Sequence, residues 1–207
     1  MKIRLNEESS YIRFLNATPN SNQIEIYMND NMVFKDVDYK EFTSYIPTIP
    51  GNYIVRVYES ENKEDILLEQ DITIAKGNIA TLVLSGMTPK LIMFAVFEDP
   101  NELVGEGNSK FRIANLSPTS LPVDLIVNNV KMIDEIPFGK RTNYAEVPSG
   151  LYDFVVKESE IDMDLNETKT QISNKVEIKN GKIYTIYVVG DSPSLEMVQS
   201  LDVTTFI

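Results

Sequence analysis

The chain has 207 residues, of which 43% are hydrophobic and 24% charged, a balance typical of folded rather than disordered proteins. Its net charge of −12 opposes binding to phosphate backbones and anionic lipid, so we expect no nucleic-acid partner. Cysteine and histidine are both absent, which excludes disulfides, thiolate chemistry, and the commonest general base and transition-metal ligand.

The first ten residues, MKIRLNEESS, predict an arm rather than a leader peptide. Lys2 and Arg4 are basic, but Asn6 and the two glutamates after it prevent an apolar segment. We therefore expect no export signal and a protein that is cytoplasmic when made. Ile3 and Leu5 alternate with polar residues, so the arm is either a loose tail, the default for a terminus, or a strand that adds to a neighbour's sheet edge.

An internal repeat occupies most of the chain. RFLNATP at residues 13–19 returns as RIANLSP at residues 112–118, an offset of 99, and the correspondence continues without a gap as far as Ser60. Gly77 then corresponds to Gly181, an offset of 104, so the second copy carries five additional residues near EIDMDLNE. A period of roughly 100 residues is the size of an independent domain rather than of a solenoid repeat.

This duplication predicts two domains of the same fold. We assign an N-terminal arm to residues 1–10, a first domain to 11–98, a linker to 99–109 and a second domain to 110–207. The linker is recognised by its glycines, its proline and its polar residues, which interrupt the strand pattern on either side.

Apolar and polar residues alternate within each copy. In the first copy, Ile24, Ile26 and Met28 alternate with Glu25 and Tyr27. The corresponding residues of the second copy are Val123, Leu125 and Val127, alternating with Asp124 and Ile126. A period of two predicts strands that place one face on a core and the other toward water. No stretch shows a convincing helical stripe.

Turn residues separate the strands at short, regular intervals. Segments 28–32 and 127–131 predict tight hairpins, because Asn and Asp tolerate positive φ. Gly77 and Gly181 predict another matched pair of hairpin turns. The long central strand of each copy begins at a glycine, Gly51 or Gly150. With about seven strands per copy, the fold class is all-β, with two tandem antiparallel β-sandwiches.

The order of these motifs resembles a known bacterial family. Both copies open with Arg-x-x-Asn-x-[Ser/Thr]-Pro, continue through an apolar strand and an Asn-containing turn, and contain a Gly-x-Tyr strand close after a proline, PGNY at 50–53 and PSGLY at 148–152. This is similar to the DUF4397 domain, a domain of unknown function that often occurs in tandem, over residues 11–99 and 110–207. The resemblance implies immunoglobulin-like or transthyretin-like sandwiches, usually on cell-surface proteins, without established catalytic residues. Family members often carry His where Asn16 and Asn115 stand.

The repeated opening motif places two polar residues among apolar neighbours in each copy. Arg13 and Arg112 alternate with apolar residues and can brace strands through a carboxylate or backbone carbonyls. Together with Asn16 and Asn115 they predict a structural hydrogen-bond clasp. The alternative is a ligand-binding role for the pair.

LIMFAVF at residues 91–97 is the longest apolar run. It is too short to span a bilayer, so we expect no membrane insertion. Seven consecutive apolar residues predict a strand that avoids water on both faces. The second face is covered either by the other domain or by another subunit or partner. We therefore take Leu91, Met93, Phe94 and Phe97, with Ile3 and Leu5 of the arm, as candidate contacts.

The acidic residues do not predict an active site. Asp162-x-Asp164-x-Asn166 begins like an EF-hand loop, but Glu167 and Ser173 occupy the positions that require Gly and Glu. A looser calcium site formed by Glu160, Asp162 and Asp164, and a solvated acidic loop, remain as alternatives. Nothing places two carboxylates in one cleft, as glycoside hydrolysis requires. We expect no enzyme activity, no cofactor and no resident metal.

These observations favour a structural or self-assembling protein. Head-to-tail contacts between such domains could build a bacterial surface or spore layer, with a second copy or another protein as partner. The alternative is a monomeric module that binds a carbohydrate or protein through the outward aromatics Tyr27, Tyr58 and Tyr187.

Overall fold

The structure, a computed structural model, describes residues 9–60, 62–99, 102–159 and 170–202. These residues form seventeen strands, and no helix occurs among them. They divide into two compact units, residues 9–99 and 102–202, here called domain 1 and domain 2. The predicted fold class, two tandem β-sandwich domains, is confirmed.

Domain 1 contains two four-stranded sheets. Sheet I has the order β4-β1-β7-β8, and sheet II has the order β3-β2-β5-β6. The strands are β1 (Ser10–Asn16), β2 (Ile24–Met28), β3 (Asn31–Val37), β4 (Ile46–Thr48), β5 (Gly51–Glu59), β6 (Asn62–Ile74), β7 (Ile79–Met87) and β8 (Lys90–Glu98).

Domain 2 repeats this arrangement. Sheet I′ has the order β12-β9-β16-β17 with β13 also paired to β9, and sheet II′ has the order β11-β10-β14-β15. The strands are β9 (Asn108–Asn115), β10 (Val123–Val127), β11 (Val130–Ile136), β12 (Lys140–Arg141), β13 (Ala145–Pro148), β14 (Gly150–Glu158), β15 (Gln171–Ile178), β16 (Ile183–Asp191) and β17 (Ser194–Leu201).

The inward faces of the two sheets form one apolar core in each domain. In domain 1, Ile24 and Ile26 of sheet II belong to the same buried cluster as Phe14 and Leu82 of sheet I. Burying such side chains contributes about 1.5–3 kcal/mol each, so the alternating apolar positions are the main source of fold stability. Domain 2 has an equivalent cluster that includes Phe111 and Phe154, whose ring centroids lie 5.0 Å apart.

One strand pair in each domain is parallel. β1 pairs with β7 in parallel, with Arg13 opposite Thr81, and β9 pairs with β16 in parallel, with Arg112 opposite Thr185. All other strand pairs between the described strands are antiparallel. A parallel pair requires a long crossover connection, which here passes through sheet II or sheet II′.

The Asn-containing hairpins are confirmed. Asn29 and Asp30 have φ of 46° and 65°, and Asn128 and Asn129 have φ of 47° and 65°. Two consecutive positive φ angles define the type I′ turn whose twist matches two-stranded hairpins. Gly77 also has positive φ, 73°, but its turn leads from β6 in sheet II to β7 in sheet I. The hairpin prediction is wrong there, because β7 pairs with β1 instead of β6.

The strands extend slightly beyond the predicted domain limits. β1 begins at Ser10 and β9 at Asn108, so the ends of the predicted arm and linker belong to strands. Within the predicted linker, Gly105 donates its backbone N–H to the Glu146 carboxylate at 3.0 Å. The described residues include no helix long and apolar enough to cross a membrane.

Candidate functional site

The apolar strand β8 has one partly open face. Leu91 and Met93 pack against the core of domain 1, as an inward-facing pair should. On the other face, Ile92 is 38% exposed and Phe94 is half-buried. Phe97 is 37% exposed. Within the single chain, side chains at the strand's outer face and end therefore retain contact with solvent. That the second face is covered by another subunit or partner stays a prediction.

Ile92 belongs to a small exposed patch on sheet I. In the β7–β8 register, Ser85 lies opposite Ile92 and Met87 opposite Lys90, so Met87 and Ile92 share a face. Met87 is 39% exposed. We call Met87, Ile92 and Phe94 the apolar patch.

Domain 2 carries different residues at the corresponding positions. The offset of 104 places Asp191, Glu196 and Val198 where domain 1 has Met87, Ile92 and Phe94. Register confirms this correspondence, since Asp191 lies opposite Ser194, and Val189 lies opposite Glu196. Two of the three patch positions therefore carry carboxylates in domain 2, and the apolar patch is specific to domain 1.

Several residues considered as partner contacts or as calcium ligands fall outside the described residues. They are Ile3 and Leu5 of the arm, and Glu160, Asp162 and Asp164 of the acidic loop. Within the described ranges, no group of three or more carboxylates is arranged to hold a metal ion.

The repeated arginine of domain 1 lies in a buried polar cluster on sheet I. Arg13 Nε donates to Thr81 Oγ1 at 2.9 Å, and Arg13 Nη2 lies 3.7 Å from Glu98 Oε1. The guanidinium carbon lies 4.5 Å from the ring centroid of Tyr45 and 4.8 Å from that of Phe42. The Tyr45 hydroxyl donates to the Glu98 carboxylate. We call Arg13, Thr81, Tyr45 and Glu98 the clasp of domain 1.

Domain 2 contains the same clasp. Arg112 Nε donates to Thr185 Oγ1 at 2.9 Å, and Arg112 Nη2 lies 3.3 Å from Asp202 Oδ2. The Tyr144 ring centroid lies 4.4 Å from the guanidinium carbon, and its hydroxyl donates to Asp202. Thr185 Oγ1 also donates to Asp202 Oδ1 at 2.8 Å. Three of the four residue types recur unchanged at the repeat offsets, and Asp202 takes the place of Glu98.

Arg141 distinguishes the second clasp from the first. It occupies the position of Phe42, at the repeat offset of 99. Burial lowers the pKa of the Arg141 guanidinium, and the nearby positive charge of Arg112 lowers it further. Domain 2 therefore holds two like charges where domain 1 stacks an arginine on a phenylalanine ring.

The repeated asparagines fix the turn after the first strand. Asn16 Nδ2 donates to Val37 O at 3.3 Å, while its Oδ1 accepts the Thr18 N–H at 3.1 Å. Asn115 makes the matching bonds to Ile136 O at 3.0 Å and from the Ser117 N–H at 3.1 Å. Because each side chain donates and accepts at once, a primary amide fits this position.

The outer face of sheet II carries an aromatic and charged groove. Tyr27 and Tyr58 form an edge-to-face pair with ring centroids 5.3 Å apart. They line a shallow groove of about 200 Å³ together with Asp30, Arg56 and Lys63. Arg56 Nε donates to Glu69 Oε2 at 2.5 Å, and its guanidinium also pairs with Asp30. We call this surface the tyrosine face.

A buried carboxylate lies beneath the tyrosine face. Alternation predicts Glu25 toward water, yet it is only 2% exposed. Its Oε2 accepts the Tyr27 hydroxyl at 3.1 Å and lies 3.7 Å from Lys63 Nζ. The Lys63 ammonium lies 5.3 Å from the Tyr27 ring centroid. The hydrogen bond with Tyr27, and then the Glu25 charge, raise the pKa of Lys63. The prediction for Glu25 is wrong because neighbouring long side chains cover it.

The corresponding carboxylate of domain 2 is more fully bonded. Asp124, 5% exposed, accepts the Glu135 N–H at 2.9 Å and the Ser159 hydroxyl at 2.6 Å through Oδ1, and Oδ2 lies 2.8 Å from Lys131 Nζ. Burial alone raises the pKa of Asp124, but these hydrogen bonds outweigh it and the net pKa is lowered. The adjoining groove, of about 590 Å³, contains no aromatic residue among those that line it.

Tyr187 does not belong to any exposed aromatic surface. It is 0% exposed on β16, a strand whose residues from Ile183 to Gly190 are all buried. The prediction of an outward Tyr187 is wrong because alternation identifies an outer face only when that face is open to water.

Sequence reasoning missed three members of each clasp. Tyr45 and Tyr144 align at the repeat offset, and Glu98 and Asp202 both end the last strand pair of their domain. The available signal was that both members of an ion pair recur: the arginine recurs at an offset of 99, and a carboxylate recurs at an offset of 104. Glu98 instead resembles a charged residue that protects a strand edge.

No curated protein matches the chain. Among solved structures it is similar to the Bacillus anthracis TIE protein, with 13% sequence identity, a TM-score of 0.27 and coverage of 89% of this chain. The chain spans only 34% of that protein's length. The family model for the domain of unknown function DUF4397 matches residues 10–121 and 109–205. The chain therefore belongs to the DUF4397 family and contains two copies of its domain.

Proposed function

We propose that the chain is a non-enzymatic structural module that associates with further copies of itself through the apolar patch of domain 1. The observation that carries this proposal is the exposure of Met87 and Ile92, 39% and 38%, side by side on the outer part of sheet I. Domain 2 has Asp191 and Glu196 at these positions, so the core does not require apolar residues there.

The contact we propose is between faces rather than between strand edges. β8 is the last strand of sheet I, and the edge of such a strand can template another strand. In the middle of β8, however, both backbone groups of Met93 are hydrogen-bonded to the Gln70 side chain. This bonding opposes strand addition at Met93 and favours contact through the side chains of the patch.

The energy available is modest. Complete burial of such a side chain contributes about 1.5–3 kcal/mol, and each patch residue is already more than half buried. A few such residues support dissociation constants on the order of micromolar to millimolar, so assembly needs high local concentration. A bacterial surface or spore layer is the setting we propose, since the resemblance implies surface proteins.

Light scattering coupled to size-exclusion chromatography, with negative-stain microscopy, tests this proposal. We expect the full-length chain to exceed the monomer mass increasingly with concentration. The variant M87D/I92E, which introduces the domain 2 residues, should remain monomeric, while the matched domain 2 variant E196Q should behave like the original chain. A chain that stays monomeric at its highest soluble concentration would contradict the proposal.

A deletion variant lacking residues 1–9 separates the patch from the arm. Under the patch proposal, this deletion leaves the association unchanged. If the deletion abolishes association while M87D/I92E does not, assembly depends on the arm and the apolar patch is not its interface.

A second candidate function is favoured by the tyrosine face. Paired tyrosines beside charged side chains on an open sheet are suited to binding a carbohydrate or protein partner. A glycan array probed with the chain and with Y27A/Y58A tests the carbohydrate version. Hits that disappear in the variant would support it, and an array without hits would contradict it.

A further inference from the structure

We propose that the tyrosine face of domain 1 binds the ammonium group of a lysine side chain on a partner protein, and that Lys63 occupies this site in the free chain. The inference rests on the binding role suggested for the tyrosine face, and it is independent of the proposed self-association. Its starting point is the set of groups that surround Lys63 Nζ.

The site already holds an ammonium group. Lys63 Nζ lies 5.3 Å from the Tyr27 ring centroid and 3.7 Å from the buried carboxylate of Glu25. An aromatic face combined with a carboxylate recognises ammonium groups through cation–π and ionic attraction. The Lys63 side chain is itself 62% exposed, so it covers the site without being packed into the fold.

The two domains hold their lysines differently: Lys131 of domain 2 forms a close ion pair, whereas Lys63 of domain 1 is held more loosely. In domain 2, Lys131 Nζ lies 2.8 Å from Asp124, a carboxylate that also accepts a backbone N–H and a hydroxyl. In domain 1, the Lys63 pair is about 1 Å longer, and a tyrosine ring forms one wall. The lysines come from different strands, β6 and β11, so what recurs is a cation over the carboxylate rather than one particular residue.

The surrounding charges favour a cationic partner. Asp30 and Glu69 flank the groove, and both are engaged by Arg56. When Lys63 moves away, the carboxylates of Asp30, Glu69 and Glu25 face only the Arg56 guanidinium, so the site has a net negative charge. The net charge of −12 adds long-range attraction for basic proteins.

Apolar residues beside the groove favour lysine over a small amine. Met32 lies opposite Tyr27 in the strand register, and Ile66 lies opposite Tyr58. Both are 49% exposed. A lysine places a four-carbon stem behind its ammonium group, and such stems pack on apolar surface while the charge remains solvated. These residues are positioned to contact that stem.

The proposal predicts that removing Lys63 strengthens binding. A ligand that competes with an internal occupant has an apparent Kd equal to its intrinsic Kd divided by the open fraction of the site. If Lys63 fills the site about nine-tenths of the time, K63M should bind about tenfold more tightly than the original chain. Methionine retains most of the lysine stem without the charge.

The experiment is an NMR titration of the ¹⁵N-labelled full-length chain. The probe is N-acetyl-lysine methylamide, and the control ligand is N-acetyl-norleucine methylamide, which keeps a four-carbon side chain but lacks the ammonium group. We expect the lysine probe to shift signals of Tyr27 and Tyr58 in K63M at about a tenth of the concentration needed in the original chain. The norleucine ligand should produce no comparable shifts.

Two further variants make the test specific. E25Q/K63M should lose the increase in affinity for the lysine probe, because a neutral amide replaces the carboxylate beneath the ring. Thermal unfolding of this variant must show that domain 1 remains folded. K131M is the matched domain 2 control and should show no gain. An unchanged affinity in K63M, equal binding of norleucine, or an equal gain in K131M would each overturn the proposal.

A basic peptide and a glycan array then distinguish the class of partner. Tighter binding of a lysine-containing peptide to K63M, with loss in E25Q/K63M, supports a protein partner. If glycan binding is lost in Y27A/Y58A but has the same affinity in K63M as in the original chain, the tyrosine face binds carbohydrate. That outcome would overturn the lysine proposal.

Discussion

The side-chain amide of Gln70 hydrogen-bonds to both backbone groups of Met93. Its Nε2 donates to Met93 O at 2.9 Å, and its Oε1 accepts the Met93 N–H at 3.0 Å. Gln70 lies on β6 of sheet II and Met93 on β8 of sheet I. The amide therefore acts as a short piece of neighbouring strand and joins the two sheets of domain 1.

Replacement of Gln70 by leucine should destabilise domain 1, because the backbone groups of Met93 would be left without hydrogen-bond partners. Met93 is only 3% exposed, so its backbone groups would lose their partner where water has little access. We expect a loss of about 1–3 kcal/mol in the free energy of unfolding, measured by urea denaturation. The adjacent exposed change D71N is the control, and equal stability of Q70L and D71N would contradict this account.

Loss of the arginine should be more costly in the domain 2 clasp than in domain 1. Arg112 is 1% exposed and lies 3.3 Å from Asp202, whereas the corresponding distance from Arg13 to Glu98 is 3.7 Å. Removing one member of a buried ion pair typically costs about 3–5 kcal/mol, because the other charge remains buried. R112M should reach this range and R13M should cost less, as measured by urea denaturation.

Arg141 provides the matched control for the clasp. Most of its surface is exposed to solvent, but its guanidinium is partly desolvated, and this desolvation together with the charge of Arg112 lowers its pKa. Because R141M removes a like charge, we expect little change or a small gain in stability. Hydrogen–deuterium exchange should place the effect of R112M in domain 2. A loss in R141M as large as in R112M would show that general packing, rather than the ion pair, is responsible.

Asp124 should make domain 2 sensitive to acid. Its folded-state pKa lies below its ordinary value of 3.8, because hydrogen bonds from Lys131, Ser159 and the Glu135 N–H outweigh the effect of burial. A carboxyl with a lowered folded-state pKa stabilises the fold above its unfolded-state pKa. This contribution is lost as the pH falls from near 4 through the lower folded-state value.

The variant D124N tests that pH dependence. It should be less stable than the original chain at pH 7, and the difference should shrink as the pH approaches 2. Urea denaturation at a series of pH values measures the difference. The control D134N removes an exposed carboxylate that also pairs with Lys131. A D124N difference that stays constant across the acidic range would exclude the ionised carboxylate as its cause.

The sequence predicted the parts of the fold that depend on local residue preferences. The Asn-containing hairpins follow from the tolerance of Asn and Asp for positive φ, and the alternating positions of β2 and β10 do form the cores. The parallel pairing of β1 with β7 was not predictable this way, because a period of two is the same in parallel and antiparallel strands.

The site was harder to predict because its residues depart from the alternation that identifies strands. Glu25 occupies an outward position but is buried under Tyr27 and Lys63, while Tyr187 occupies a strand that is covered on both faces. Gln70 reaches β8 across the boundary between two sheets. Such contacts join residues far apart in sequence, and only the assembled sandwich brings them together.

Gly86 should tolerate substitution far less than Gly77, although both have positive φ. A Cβ on Gly86 would lie 2.3 Å from Lys90 O, with φ at 116°, whereas a Cβ on Gly77 would meet nothing within 4 Å. G77A therefore costs only the conformational strain of a left-handed backbone, about 1 kcal/mol. G86A adds a backbone collision at the β7–β8 turn, so we expect at least about 3 kcal/mol.

The same collision recurs at Gly190, where a Cβ would lie 2.4 Å from Ser194 O. G86A and G190A should therefore have similar effects on their own domains, while G77A and G181A are matched controls with open space around the added carbon. Thermal unfolding followed by circular dichroism measures all four. Equal losses in G86A and G77A would mean that the β7–β8 turn relaxes, and that the repeated glycine is needed only for its backbone angle.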